Sequence, residues 1–304
     1  MGNYLPQLIR HLATTLSLVI LFGCAEESIK VKAPTQQEKE PEIMYSRKQI
    51  KELKTASKVV YNLPSPSEMA KLLHQTNAIY DVEILNDPKS INQYVTDVSR
   101  ALNLGVYFAD LSFTSMFDYP QQAMLYMSAA QGLSEELNIV GVFNEGLMNR
   151  LEDNLSNKDS ILEIVSQTYL ETDMYLQENE RGVIAKAILA GAWIEGLYIA
   201  THLKSQGNVR QQVIWEKIGE QKSALTNLIN MVEDCNEPQL KSFIEKLRQL
   251  ESAYADVSIV EELPENDSNQ TNAALIRKVE ISEMTEANID LMASECRDHI
   301  VSVN

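Results

Sequence analysis

This chain of 304 residues predicts an all-α fold, an internally duplicated helical bundle with a C-terminal helical extension. Three observations lead there. Val183 to Leu203 forms one long apolar run with few breaks. Helix-start signals recur along the body, and no long valine-rich alternation competes with them, which argues against a large sheet. Groups of residues also recur at a nearly constant offset, the mark of a repeated structural unit.

The apolar run carries Lys186 and Glu195 on its way through. A membrane span wants about 20 predominantly apolar residues, and a carboxylate near its midpoint costs several kcal/mol, so a protein core is the cheaper home. The run is therefore expected to be the central helix of the body.

Residues 1–23 read as a signal segment. Arg10 and His11 precede the apolar stretch Leu12 to Phe22, which is too short and wrongly flanked for a spanning anchor. Leu21-Phe22-Gly23-Cys24 resembles the lipobox of bacterial lipoproteins. That resemblance implies lipidation of Cys24, which would become the first mature residue, and several acyl chains hold a protein stably at a membrane. Ala25 follows, then Glu26-Glu27, which resembles outer-membrane routing and a surface-export signal of Bacteroidetes. Residues 24–46 then read as a lipid-anchored tether, since E-E-S-I-K-V-K-A-P-T-Q-Q-E-K-E-P-E offers little apolar surface to offset the entropy of ordering.

The body, residues 47–304, is taken in order. Ser65-Pro66-Ser67-Glu68 has the form of a capping box with proline at the first helical position, so a helix starts near 66. After Asp87-Pro88, the residues Ile91, Tyr94, Val95, Val98, Leu102 and Val106 make a helical stripe over 91–113. Tyr119-Pro120-Gln121 opens the next helix, with Met124, Met127, Leu133 and Leu137 facing a core. Shorter helices are expected over 142–154 and from 156 to about 177. Beyond the second half, Glu261 to Asn272 is polar and broken by Pro264. A short ordered segment over 273–281 and a final helix over 285–300 close the chain, with Ile289, Met292 and Cys296 packing back on the body.

The repeat runs through most of this region. Gln75-Thr76 and Asp81 recur as Gln167-Thr168 and Asp173, an offset of 92. After one deletion, Ala101, Gly105, Tyr107 and Ala109 match Ala192, Gly196, Tyr198 and Ala200 at 91. Met124, Met127 and Leu137 then match Trp215, Ile218 and Leu228, and Asn144-Glu145 matches Asn236-Glu237 once the offset returns to 92. Duplication places the helices 91–113 and 183–203 in equivalent positions, with Gly105 and Gly196 serving close backbone approach.

A net charge of -17 disfavours nucleic acid or an anionic lipid surface as a partner of the body. No H-E-x-x-H, CxxC, P-loop or nucleophile elbow is present, so no catalytic residue, metal or cofactor is expected. Cys235 and Cys296 have no metal-like spacing and read as isolated thiols. Glu178-Asn179-Glu180 with Arg181 reads as a solvated helix junction. Glu195 is the local anomaly. Tyr198 and His202 follow it on its helix, and Asn103, Tyr107 and Asp110 stand on the matching one. These six residues could converge on a polar pocket that binds a small molecule; alternatively Glu195 is simply paired, with Tyr107 or His202, or reaches solvent.

Ala101-Leu102-Asn103-Leu104-Gly105-Val106-Tyr107, the run Leu189 to Tyr198 and the junction Asn157-Lys158-Asp159-Ser160 resemble a group of helical Bacteroidetes lipoproteins of unassigned activity. The resemblance covers residues 60–257. It implies an envelope address and a helical fold and carries no catalytic residues. The expectation is an outer-membrane lipoprotein acting as a non-enzymatic protein-binding or scaffolding module, with the small-molecule cleft between the central helices as the alternative. Membrane fractionation with palmitate labelling checks the anchor: the wild-type protein is expected in the membrane fraction carrying label, and Cys24→Ser is expected to lose the label.

Overall fold

The computed structural model describes residues 76–302, apart from 118, 140, 143, 155–156, 205–207 and 263–275. The expected signal segment, Cys24, the tether and the helix start near residue 66 lie outside the described residues. Among the described residues the fold is all-α, with nine α-helices and one two-stranded ribbon. In chain order these are α1 (Asp97–Met116), α2 (Pro120–Glu136), α3 (Glu145–Asp153), α4 (Lys158–Glu178), α5 (Gly182–His202), α6 (Asn208–Gly219), α7 (Lys222–Glu233) and α8 (Lys241–Ala253). Strands β1 (Ser258–Glu262) and β2 (Ile276–Glu280) follow, and α9 (Glu283–Val301) ends the fold.

Local chemistry sets the boundaries. The helix expected over 91–113 divides in two: a 3-10 segment Pro88–Gln93, then α1. Asp87 caps the first by accepting the Lys89 amide proton at 3.0 Å, and Thr96 caps the second by accepting from Ser99 at 3.1 Å. Each cap satisfies an otherwise orphaned N–H of a first turn. Asn144, Asn157 and Ser282 do the same for α3, α4 and α9. Asn138 and Asn236 adopt positive φ where α2 and α7 end, a conformation asparagine tolerates better than most residues.

At the centre α1 packs along α5 more extensively than any other pair of elements, with α4 against both. α2 covers another side of α1, while α9 lies on α5 and α8. α5 is the one helix among the described residues long and apolar enough to cross a membrane, and most of it is buried inside the fold. The α1–α5 contact is backbone against side-chain-free backbone. A Cβ on Gly105 would collide with the Ile188 carbonyl and stand 2.6 Å from the Ala192 nitrogen. On Gly191 it would strike the carbonyl of Leu102. Gly196, expected from the repeat to make the close approach, has nothing within 4 Å of its Cβ position, so Gly191 does that work. The contact passes one turn earlier on α5 than the aligned repeat implies.

The flanks of this pair are not alike. The single helix α2 is answered on the α5 side by two helices, α6 and α7, broken at Glu220-Gln221. The ribbon is a departure from the sequence reading, which expected only a short ordered segment at 273–281. Its strands are five residues each, too short for an alternation to stand out, with Ser258 opposite Glu280 and Ile259 opposite Val279. Val279 is buried where α6 ends at Gly219; a Cβ there would overlap its methyl group. Tyr254 fastens α8 beside it, donating to the Ile218 carbonyl at 3.1 Å.

The glycines give a direct test. Gly191→Ala and Gly105→Ala should each cost about 3 kcal/mol by forcing the central helices apart, near the upper end for overpacking. Gly196→Ala should instead stabilise by up to about 1 kcal/mol through helix propensity. Urea denaturation midpoints of the three variants read the contrast.

Candidate functional site

The polar residues of the central helices sort into two groups. Asp110 of α1 and Glu195 of α5 are both wholly buried, and their carboxyl groups are near enough for each to act on the other. Asp110 Oδ2 accepts the Asn86 backbone N–H at 3.2 Å. Glu195 Oε2 accepts from Arg297 Nε at 3.2 Å, and this pair is almost closed to solvent, with side-chain exposures of 13% and 0%. The guanidinium carbon lies 4.9 Å from the centre of the Tyr198 ring, a cation–π distance. Tyr198 in turn lies against His202, with ring centroids 4.1 Å apart. The His202 Nδ1 is 3.0 Å from the Tyr198 carbonyl oxygen and 3.5 Å from Asp290 Oδ1 of α9. A chain of contacts therefore runs from a dry interior at Asp110 to the half-exposed edge of α9.

Asn103 and Tyr107 do not join it. Asn103 donates to the carbonyls of Ser99 and Ile300, both at 2.9 Å, tying α1 to the end of α9. Tyr107 donates to the Asp87 carbonyl at 2.8 Å, holding the 3-10 segment on α1. Both serve packing, so the six-residue pocket expected from the sequence is replaced by four of its members, Asp110, Glu195, Tyr198 and His202, joined by Arg297. The partner of Glu195 is Arg297, neither Tyr107 nor His202. The space expected between the central helices is taken up at their crossing by the approach of Gly105 and Gly191.

Arg297, Asn86 and Asp290 are what the sequence reading missed. Asn86 acts through its backbone, which no residue pattern reports. Arg297 and Asp290 did leave a signal: the buried stripe Ile289, Ala293, Cys296 and Ile300 puts both charges on its flank, at i and i+7.

Burial raises the Asp110 carboxyl well above its ordinary range, and the neighbouring Glu195 charge adds to the effect. Burial raises Glu195 as well, against the opposing pull of Arg297. Elsewhere the Cys296 thiol is pushed up to about 12 by burial, and both Cys235 and Cys296 are free. Among the described residues no group of three or more His, Cys, Asp and Glu side chains gathers as a metal site. The Glu178 to Arg181 junction turns through Glu180 at positive φ, and Arg181 donates to the Leu137 carbonyl.

Comparison with protein-family models, with curated proteins and with solved structures finds no match to this chain.

The cluster makes an asymmetric prediction. Arg297→Met removes the cation and leaves a buried acid pair, and breaking a buried pair this way typically costs about 3–5 kcal/mol. Lys246→Met, which breaks the solvent-screened contact between α8 and Glu295 of α9, should cost far less. Denaturant titration of both variants at neutral pH checks the difference.

Proposed function

We propose that this chain is a lipid-anchored protein of the cell envelope, held at the outer membrane through Cys24, that acts as a non-enzymatic protein-binding or scaffolding module. The observation that carries the reading is an aromatic cluster where α1 passes into α2, anchored in the core by Phe113 and half-exposed at Tyr119. The Tyr80 and Tyr119 rings stack at 4.2 Å, and Tyr80 also meets Phe117 at 5.5 Å and Phe113 at 5.7 Å. Tyr119 and Ile79 are each 48% exposed, and Val82, three residues after Ile79, is 44% exposed.

Single exposed apolar residues are ordinary, but neighbouring aromatic and aliphatic side chains of this kind are what protein interfaces collect. Tyrosine gives a large rigid contact at low entropic cost and keeps a hydroxyl for the wet rim. Ile79, Tyr80 and Val82 belong to the first described residues of the body, the end nearest in sequence to the tether. A net charge of -17 favours a neutral or basic partner face over an acidic one. The alternative, a small molecule between the central helices, has less support because the glycine contact closes the crossing.

The test is crosslinking and affinity capture in intact cells with wild type and with an Ile79→Ser, Tyr119→Ser double variant. Wild type is expected to recover a specific envelope protein, and the double variant, folded by circular dichroism, is expected to lose it. Equal recovery by both would move the binding surface elsewhere.

A further inference from the structure

Asp110 Oδ1 and Glu195 Oε1 are buried and meet no N–H or O–H donor among the described residues. Such atoms are costly to leave bare, and a buried acceptor is nearly always paired. Yet the two buried carboxyl groups are near enough to act on one another, where two carboxylates would only repel. One proton resolves both difficulties: it turns one acid into a donor and gives the other its missing bond. Asp110 is the better holder, because Glu195 already faces Arg297 while Asp110 has only the Asn86 amide.

We infer that Asp110 and Glu195 share a single proton in the native protein, and that this proton sets how firmly α9 is held against α1 and α5. With one proton, the Asp110–Glu195–Arg297 cluster is neutral. Without it, the same dry space holds two carboxylates against one guanidinium, and the excess negative charge is relieved by loosening α9, the helix that closes the site. The other ionisable groups around the cluster add no second cation at alkaline pH. Tyr198 and His202 face it from α5, Asp290 and Asp298 from α9, Tyr80 from the entering segment, Tyr107 from α1 and Tyr126 from α2.

The sign follows from linkage. Both carboxyls are raised in the fold above ordinary values of 3.8 and 4.5. The stability they contribute is full below those unfolded values, falls as pH climbs above them, and is gone once pH has passed the folded values. The window that reports on the shared proton lies on its upper side, from neutral to alkaline pH.

Three measurements on the full chain decide the matter. Infrared spectroscopy at neutral pH should show the carbonyl stretch of a protonated carboxylic acid in wild type, and Asp110→Asn should abolish it. The urea midpoint of wild type should fall from neutral to alkaline pH, while Asp110→Asn, whose amide donates without titrating, should stay nearly level. Hydrogen-exchange protection of the α9 amides should drop about tenfold further than that of α2 over the same range, the change in population that one pKa unit represents. No protonated-acid signal in wild type would overturn the shared proton, as would a wild-type pH profile in Asp110→Asn. Equal loss of protection in α9 and α2 would overturn the control of α9. Should Asp110→Asn fail to fold, the wild-type infrared signal still decides the first point, and Glu195→Gln, which leaves Asp110 as the only carboxylate for Arg297, should level the profile in its place.

Discussion

The backbone contact between α1 and α5 governs the rest of the molecule. Helix axes usually pack about 8–10 Å apart, a distance set by the side chains between them. At Gly105 and Gly191 there are none, and each helix rests on a carbonyl of the other. Asp110 lies about one turn beyond Gly105, and Glu195 about one turn beyond Gly191. Two acids so placed are drawn out of water together, since neither helix can turn its polar side away without losing the glycine contact. The enclosed charge follows from the close approach.

Arg297 answers that charge from far along the chain. A buried ion pair is poor evidence of net stability, because desolvation consumes much of the attraction. Its clearer effect here is positional. The buried stripe of α9, Ile289, Ala293, Cys296 and Ile300, recurs every three to four residues, and such a stripe alone could fit its groove shifted by a turn or more. Arg297 on Glu195 and the Ile300 carbonyl on Asn103 lie one turn apart on α9 and are satisfied together in one register. A slipped helix would leave buried polar groups on both sides without partners, which penalises the wrong register more than it rewards the right one.

How much of this could be read from the residues depends on the range of the interaction concerned. The helices were legible because their signals are local: the proline at the start of α2 and the apolar run of α5 each act within a few residues. Glu195 stood out because an acid in an apolar helix is anomalous anywhere. Its partner did not, because the pairing spans 102 residues and an arginine on a mixed C-terminal helix looks like surface. Gly196 was preferred over Gly191 because the repeat alignment matched residue types, whereas the contact depends on which face of α5 meets α1. The ribbon escaped notice because, among its described side chains, Val279 is buried while Ser258, Ile259, Val260, Lys278 and Glu280 are exposed, leaving no run of alternation.

The polarity of α5 explains why the last helix belongs to the core and is no appendage to it. α5 is apolar around most of its circumference, and three of its polar residues, Glu195, Tyr198 and His202, stand at i, i+3 and i+7 on one face. All three meet α9: Glu195 bonds Arg297, Tyr198 lies under the same guanidinium, and His202 reaches Asp290. Were α9 absent, that stripe would expose Glu195 beside a broad apolar surface, with the acid too close to Asp110 for both to ionise and no cation to relieve them. The described chain that precedes α9 supplies the central pair, and the cation that acts on its two acids comes from α9. Completion of the interior waits on the final helix, so the two glycines that bring α1 and α5 together also create the requirement that α9 fulfils.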